Sequence, residues 1–243
     1  MERNELIFNG NVKQVYSTDE PDKVIIRYKD VATAFSDIKR ATVKSKGIYN
    51  NRISAILFTE LERCGVSTHY VGMLSDREQI CRKLEVIPLM VILRNRIAGS
   101  QARRLGLEEG TRPVRPFIDL FYINEKISNP FLNDDHAVSL GIASYDELDL
   151  IRKTALHAGT ILTDYLAKAG IELIDAKLRF GKGPDGSLVL IDEIDPDTCR
   201  LWDIKTGEKL DKDRFRYDLS GVNAAYKEVC ERLSALPGNE NII

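Results

Sequence analysis

The chain has 243 residues, of which 43% are hydrophobic and 30% charged, a composition typical of a globular enzyme with one large domain or two modest ones. Its formal net charge is −2, from 35 basic and 37 acidic residues, so no overall positive field attracts nucleic acid or an anionic membrane surface. An anionic ligand would have to be bound by a local cluster of basic residues.

The cysteines and the N-terminus predict a cytoplasmic protein. Cys64, Cys81, Cys199 and Cys230 are far apart and form no Cys-x-x-Cys pair, so reduced thiols are expected and a metal motif is not. The first ten residues, MERNELIFNG, lack the apolar core of a signal peptide, and no apolar stretch approaches the roughly 20 residues that span a bilayer. No membrane partner is expected.

The first third of the chain predicts an antiparallel meander followed by a helix. Three short apolar segments are separated by the turn compositions NGN and DEPD: residues 5–10, 13–18 and 23–30. Residues 50–65 then carry apolar side chains at helical spacing and end at Gly65. Two further strands are predicted at 67–74 and 79–87.

The sequence changes character after that point, and we place the start of a second domain near Glu85, which divides the chain into residues 1–84 and 85–243. Residues 144–170 predict the clearest helix, because Ser144 and Glu147 form a capping box. A hairpin follows, with strands at 171–181 and 187–195 joined by KGPDG, and residues 221–236 predict a final amphipathic helix.

The hairpin carries a dense set of charged residues. In IDAKLRFG, residues 174–181, Asp175, Lys177 and Arg179 occupy alternate positions, so an extended strand places them on one face. The partner strand and the turn after it add further carboxylates: Asp192, Glu193, Asp195 and Asp197. Carboxylates at the end of a strand are suited to Mg²⁺, which prefers oxygen ligands and usually bridges to phosphate. The alternative is a solvated face with cross-strand ion pairs.

Basic residues cluster around small ones in RNRIAGSQARR, residues 94–104. Arginines at 94, 96, 103 and 104 surround Ser100, where backbone N–H groups could face a phosphate, although a plain basic surface turn remains the alternative. Arg200, Arg214 and Arg216 add guanidinium groups near the single tryptophan. The three histidines, His69, His136 and His157, are predicted to be structural or solvated.

Several longer segments together resemble the SAICAR synthetases, the phosphoribosylaminoimidazole-succinocarboxamide synthases. The resemblance covers nearly the whole chain and rests on segments in the family's order: GNVKQVY, YKDVATAF, KGIYNNRIS, IPLMVILRNRIAGS, RLGLEEG, LFYINEKISNP, DAKLRFG, DEIDPDTCRLWD and LDKDRFRYDL. It implies an α+β fold with an N-terminal antiparallel β lobe over ATP, related to protein kinases and ATP-grasp enzymes, and a larger α+β domain. It also implies a ligase that joins carboxyaminoimidazole ribonucleotide to L-aspartate with ATP and Mg²⁺, by way of an acyl phosphate.

The resemblance also implies roles for individual residues. Lys13 and Val15 would contact ATP, and Asp192 would coordinate Mg²⁺. The ribonucleotide's phosphate and carboxylate would be held by Arg94, Ser100, Arg200 and Arg216. Asp175, Lys177 and Arg179 would form the catalytic set, and no nucleic acid partner is implied. Family members are commonly dimers or larger, so a homo-oligomer is expected.

Five positions depart from the family's usual pattern. They are Asn11 for a lysine, Met90 for a glutamate, Ile123 for a lysine, Asn129 for an aspartate and Arg179 for a glutamate. Three hypotheses therefore stand at this point. The protein is a SAICAR synthetase, a paralogue acting on a related azole ribonucleotide with another nucleophile or without ATP, or a ribonucleotide-binding protein without turnover.

Overall fold

The computed structural model describes residues 1–34, 38–239 and 242. The elements of the first third are strands β1 (Arg3–Asn9), β2 (Lys13–Thr18), β3 (Lys23–Tyr28), β4 (Val31–Ala34) and β5 (Lys39–Thr42), helix α1 (Lys46–Arg63), and strands β6 (Tyr70–Ser75) and β7 (Glu78–Arg82). Five of these strands form an antiparallel sheet in the order β1-β2-β3-β7-β6, while β4 pairs with β5. The predicted meander of the first three strands is confirmed.

The rest of the chain builds a second antiparallel sheet and its helices. Its elements are β8 (Glu85–Arg94), α2 (Ser100–Leu105), β9 (Phe117–Tyr122), β10 (Phe131–Leu132), α3 (Asp134–Ser139), α4 (Tyr145–Lys168), β11 (Ile171–Lys182), β12 (Leu188–Ile191), β13 (Cys199–Asp203), α5 (Asp213–Arg216) and α6 (Val222–Ser234). The sheet order is β10-β9-β8-β11-β12, and β13 also pairs with β11. The long strand β11 is therefore central and contacts three neighbours.

The largest apolar cluster lies against the second sheet. It contains buried residues of α1 and α4 together with residues of β8, β11 and α6. The capping box of α4 is present as predicted, with Ser144 accepting from the backbone N–H of Glu147. No helix in the described part of the chain combines the length and the apolar character needed to cross a bilayer.

The prediction of one strand over 79–87 is wrong, because the chain changes sheets within it. Strand β7 ends at Arg82, and the backbone N–H of Lys83 bonds instead to the carbonyl of Asp22 at 2.7 Å. Strand β8 then continues through Pro88, which has no N–H to donate. The register between β8 and β11 shifts between Arg179 and Gly181, close to this proline.

Helix α1 begins at Lys46, earlier than the predicted residue 50, because a residue distant in sequence satisfies its first turn. The carboxylate of Asp30 accepts from the backbone N–H groups of Ser45 at 3.1 Å and Gly47 at 2.9 Å. A carboxylate at this position also complements the positive end of the helix.

Candidate active site

A mostly apolar cavity of about 400 Å³, the lobe cavity, lies between the five-stranded sheet and β11. It is lined by Ile7, Phe8, Lys13, Val15, Val24, Ile26, His69, Arg82, Lys83, Leu84, Val86, Arg179, Ile191 and Asp192. The predicted cofactor residues Lys13 and Val15 therefore share one cavity with Arg179 and Asp192. An apolar wall beside charged groups suits a nucleotide, which combines an apolar base with anionic phosphates.

Ion pairs connect the two sheets at the charged end of the lobe cavity. Lys13 of β2 forms ion pairs with Asp192 and Glu193, the two residues that follow β12. The Arg179 Nη1 atom lies 3.8 Å from Asp192 Oδ2. Burial would raise the pKa of Glu193, but the positive charges of Lys13 and Lys177 outweigh it and hold that pKa below its ordinary value.

Asp192 has a left-handed backbone conformation, with φ of 81°, which is uncommon for a residue other than glycine. Its carbonyl oxygen accepts a hydrogen bond from His69 Nε2 at 3.0 Å. Burial and the nearby charge of Lys13 lower the pKa of His69 to about 3, so the imidazole is neutral and donates this bond. His69 therefore holds the backbone that presents the Asp192 carboxylate, in agreement with the structural role predicted for it.

A second, polar cavity of about 230 Å³ lies on the same face of the second sheet. This polar cavity is lined by Ile92, Arg94, Ser100, Asp175, Lys177, Asp197, Thr198, Cys199, Arg200, Lys212 and Arg216. All four predicted substrate-binding residues, 94, 100, 200 and 216, are thus brought together with Asp175 and Lys177. Five lining side chains are cationic and two are anionic, which favours anionic ligands.

Asp175 holds two arginines in place at one end of the polar cavity. Its Oδ2 atom accepts from Arg94 Nη1 and from Arg200 Nη1, both at 2.7 Å. The side chain of Arg94 is 2% exposed, and its Nε bonds to Asp119 Oδ2 at 3.1 Å. A guanidinium fixed by two carboxylates is already oriented before a ligand arrives. Asp175 therefore acts on the arginines, a contact that the sequence did not predict.

Asp213 orients Arg200 as well, together with the third arginine of this end, Arg216. It accepts from Arg200 Nε at 2.8 Å and forms an ion pair with Arg216. The neighbouring Asp211 accepts from the backbone N–H of Leu201 at 2.8 Å and from that of Asp213 at 2.7 Å. Burial and the charge of Asp213 raise the pKa of Asp211 to about 7. Asp213 therefore fixes the guanidinium groups of Arg200 and Arg216, and Asp211 fixes the backbone of Leu201 and Asp213 beside them.

Strand β11 connects the two cavities. Asp175 and Lys177 face the polar cavity and Arg179 faces the lobe cavity. Residues two apart in a strand are separated by about 6.6 Å, so Lys177 lies one such step from each neighbour on this face. The alternating stripe therefore contributes to the walls of both cavities, and Asp175 forms the cross-strand ion pairs that the alternative predicted.

The acidic turn after β12 is buried rather than exposed to solvent. Asp197 forms an ion pair with Lys46 of α1 and accepts from Asn50 Nδ2 at 2.7 Å and from the Tyr226 hydroxyl at 3.0 Å. Burial would raise its pKa, but Lys46 and Lys212 outweigh that effect and hold it at about 2. Burial and the charge of Asp197 raise the pKa of Asp195 to about 8.

Sequence reasoning missed the residues that support the site. Asp119 and Asp213 hold arginine side chains, Asp211 holds the backbone of Leu201 next to Arg200, and Lys46 and Lys212 flank Asp197. The sequence signal for these residues is in LDKDRF, where Asp211 and Asp213 stand two residues apart next to Arg214 and Arg216. Charged residues occupy alternate positions in the hairpin as well. Lys46 and Asp197 are 151 residues apart in sequence, and no local pattern relates them.

The departures from the family pattern occupy two different settings. Met90 is the register partner of Arg179 across β8 and β11, so both altered residues lie at one level of the sheet. Asn129 stabilises a turn, since its Oδ1 accepts from the backbone N–H of Asn124 at 2.8 Å. Its φ of 49° is one that asparagine tolerates better than most residues.

The remaining predicted features lie away from the two cavities. The acidic loop NDDHA is the short helix α3, begun by an Asn133 side chain that accepts from the backbone N–H of His136 at 2.8 Å. His136 and His157 are exposed, as expected for solvated histidines. Arg96 bonds to Glu172 at 2.9 Å and does not line the polar cavity.

The fold and the two cavities define a class of protein: an α+β enzyme with a mostly apolar cavity of nucleotide size beside an antiparallel lobe, next to a cationic cavity that suits anions. The comparisons with known proteins make the assignment specific. The family model for SAICAR synthetase matches residues 6–233. A phosphoribosylaminoimidazole-succinocarboxamide synthase of Clostridium botulinum (strain Alaska E43 / Type E3) is 49% identical over 234 residues, which cover 96% of this chain and 100% of that protein.

Solved structures agree with the sequence comparison. This chain matches the crystal structure of a phosphoribosylaminoimidazole-succinocarboxamide synthase from Ehrlichia chaffeensis with a TM-score of 0.93 and 40% sequence identity. The match covers 96% of this chain and 100% of that one. A SAICAR synthetase in complex with ADP matches this chain with a TM-score of 0.92 and 45% sequence identity. The match covers 96% of this chain and 98% of that one. The chain belongs to the SAICAR synthetase family of carbon–nitrogen ligases in purine biosynthesis.

Proposed function

We propose that the protein joins the carboxylate of carboxyaminoimidazole ribonucleotide to the amine of L-aspartate with ATP, the activity of its relatives in purine biosynthesis. The observation that carries this proposal is strand β11, whose Lys177 lines the cationic cavity two residues from Arg179, which lines the nucleotide-sized cavity. A reaction that moves a phosphoryl group from one ligand to another needs two adjacent sites with positive charge between them.

ATP occupies the lobe cavity in this proposal, which is supported by the ADP complex of a relative with 45% identity. Val15 contributes to the apolar wall against the base, and Lys13 and Arg179 meet the phosphates. The ribonucleotide occupies the polar cavity, where Arg94, Arg200 and Arg216, with Ser100, bind its phosphate and carboxylate.

The donor groups at the lobe cavity fit Mg²⁺ that arrives with ATP. Mg²⁺ usually keeps several waters and takes one or two carboxylates plus phosphate oxygens. The described residues contain no group of three or more candidate ligands, but Asp192 and the adjacent Glu193 supply two carboxylates. Asp192 would hold the ion, which when bound would neutralise charge on the phosphates.

The reaction proceeds in two steps, transfer of a phosphoryl group and then attack by the amine. A carboxylate oxygen of the ribonucleotide bonds to the terminal phosphorus of ATP as the bond to ADP breaks, and Lys177 and Arg179 balance the charge on the transferring group. The amine nitrogen of aspartate then bonds to the acyl carbon, the bond from that carbon to phosphate oxygen breaks, and inorganic phosphate and a proton are released. Asp175 keeps Arg94 and Arg200 in position throughout.

A single assay tests the proposal. The purified protein is supplied with ATP, Mg²⁺, L-aspartate and carboxyaminoimidazole ribonucleotide, and both ADP and the succinocarboxamide product are followed. We expect one ADP for each product molecule and no product when ATP is omitted. Product formed without ATP would contradict the acyl phosphate route, and ribonucleotide binding without product would favour a binding protein.

We also propose that the protein acts in the cytoplasm as a homo-oligomer. Its four cysteines are free thiols, which suits a reducing compartment. Three apolar side chains are exposed here, Leu105 at the end of α2 and Leu107 and Val114 in the connection from α2 to β9, and a second copy of the chain would cover them. Light scattering of the purified protein measures the mass, and the monomer mass of 27.5 kDa would contradict the oligomer.

A further inference from the structure

The polar cavity contains two kinds of cation. Its three arginines each contact at least one carboxylate at hydrogen-bond distance or closer. Its two lysines do not. Within the described residues Lys177 has no ion pair at its ammonium group, and the only carboxylate within 4 Å of Lys212 is Asp197, at 3.9 Å. Burial lowers the pKa of both lysines, although the negative charges of Glu193 and Asp197 partly oppose it. A buried ammonium group without a close carboxylate partner favours the binding of an anion beside it.

Lys212 is held at the cavity wall by contacts that leave its ammonium group available. Its backbone N–H donates to the carbonyl of Pro196 at 2.9 Å. The neighbouring Asp197 is itself fixed from two helices, since its carboxylate contacts Lys46 and Asn50 of α1 and Tyr226 of α6. Both oxygens of Asp197 already have closer partners than Lys212. The side chain of Lys212 is 14% exposed, and the residue lines the polar cavity.

The lysines and the arginines occupy different levels of the cavity. Asp175 pairs with Arg94 and Arg200 in the register of the sheet, which defines the arginine end. The backbone N–H of Lys177 donates to the carbonyl of Thr198 at 2.9 Å, which places the lysine end beside the 197–198 turn. The lysine end is one step along β11 nearer to Arg179 and the lobe cavity.

We propose that Lys212 binds a carboxylate of the amino-acid substrate and so selects an amino dicarboxylate. This inference rests on the proposed function. The amine must reach the acyl carbon near Lys177, between the two cavities, so the amino acid has to enter at the lysine end. L-Aspartate has two carboxylates, and the ribonucleotide already occupies the arginine end of the cavity. The cation beside Lys177 that has no close partner within the described residues is Lys212, so it is the group that can bind one of these carboxylates. A buried ammonium left unpaired would disfavour an amino acid that lacks the second carboxylate.

Steady-state kinetics of Lys212→Met and Lys212→Arg test the proposal, with Lys205→Met as a matched control on the exposed turn after β13. We expect Lys212→Met to raise KM for L-aspartate by roughly 10- to 100-fold, the loss of one charge-assisted contact, and to leave KM for ATP and for the ribonucleotide unchanged. Lys212→Arg should retain most of the affinity, and the preference for L-aspartate over L-alanine should fall in Lys212→Met alone.

Two outcomes would overturn the assignment. A raised KM for the ribonucleotide with an unchanged KM for L-aspartate would place a phosphate or the ribonucleotide carboxylate on Lys212. Equal changes in all three KM values, or a lower melting temperature in both Lys212 variants, would show a structural role. Failure of the proposed function is distinguishable from these outcomes, because the unaltered protein would then form no product from L-aspartate.

Discussion

Asp195 and Asp197 lie two residues apart in one buried turn, yet their surroundings move their pKa values in opposite directions. Lys46 keeps Asp197 ionised, and the resulting negative charge adds to burial in keeping Asp195 protonated, with a pKa of about 8. The folded protein therefore binds a proton at Asp195 that the unfolded chain releases near pH 4. This difference makes the stability of the fold depend on pH.

We expect Asp195→Asn to remove part of that dependence. Because the folded pKa of Asp195 is raised, its stabilising contribution is complete below pH 4 and is lost as the pH rises towards 8. Between pH 5 and 8 the free energy of unfolding should therefore decrease with rising pH in the unaltered protein more steeply than in Asp195→Asn. The difference between the two slopes should be about 1 kcal/mol per pH unit. Urea unfolding at several pH values measures it, and parallel curves for the two proteins would contradict the assigned protonation.

Arg179 offers a test of the lobe cavity. Replacement by methionine removes a cation that lies 3.8 Å from Asp192 and lines the lobe cavity. We expect Arg179→Met to raise KM for ATP by roughly tenfold or more, while KM for L-aspartate stays unchanged. Arg27→Met, which alters an arginine paired with Glu78 elsewhere on the five-stranded sheet, is the control. Unchanged ATP kinetics in Arg179→Met would remove Arg179 from the catalytic set.

Gly99 shows how closely the backbone approaches Arg200. It has φ of 58° and ψ of −128°, and a Cβ placed there would lie 2.3 Å from Arg200 Nη2. We expect Gly99→Ala to displace the guanidinium from Asp175 and to raise KM for the ribonucleotide by roughly tenfold or more. Gly106→Ala also introduces a Cβ at positive φ but meets nothing within 4 Å, so its KM should not change. Equal kinetics in the two variants would contradict the role of Arg200.

Local patterns predicted the stripe of the site but not its support. Strand alternation is enough to place Asp175, Lys177 and Arg179 on one face, because the period of a strand is fixed by its backbone. The partners of that face come from strands whose pairing depends on the whole fold. Asp119 reaches Arg94 only because β9 pairs with β8, and nothing within either strand specifies that pairing.

At the scale of elements, the predictions succeeded where a helix or hairpin carries its own end signals. Helix α4 has its capping box and a glycine at its C-terminal end, and both lie where the sequence places them. Helix α1 has no cap of its own and takes one from Asp30, so its start was placed four residues late. The change of sheets between β7 and β8 left no local signal except Pro88.

Gly159 determines how closely α4 packs against β8. A Cβ at this position would lie 2.2 Å from Leu93 Cδ2. Alanine favours a helix over glycine by roughly 0.5–1 kcal/mol, but overpacking a close-packed interior costs about 1–3 kcal/mol. We therefore expect Gly159→Ala to lower the free energy of unfolding. Combining it with Leu93→Ala should recover part of the loss, and urea unfolding of the four proteins gives the coupling energy. Purely additive effects would contradict the contact.

At the scale of the whole molecule, the two sheets are separate but the core is shared. The boundary that we propose, between residues 84 and 85, follows the change from the first sheet to the second. Helix α1 precedes this boundary, yet its residues Ile53, Leu57 and Leu61 belong to the same apolar cluster as β8 and α4. The ion pairs of Lys13 and Lys46 cross between the two parts as well.

A shared core predicts that both parts unfold together. Removing the second part would expose the apolar face of α1, which the five-stranded sheet alone does not cover. We expect the fluorescence of Trp202, in β13, and the hydrogen-exchange protection of β2 and β3 to be lost at one urea concentration. Loss of protection in β2 and β3 while the Trp202 signal persists would show that residues 1–84 open independently. The ion pairs that close the lobe cavity would then break without global unfolding, and nucleotide binding should raise the urea concentration at which β2 and β3 open.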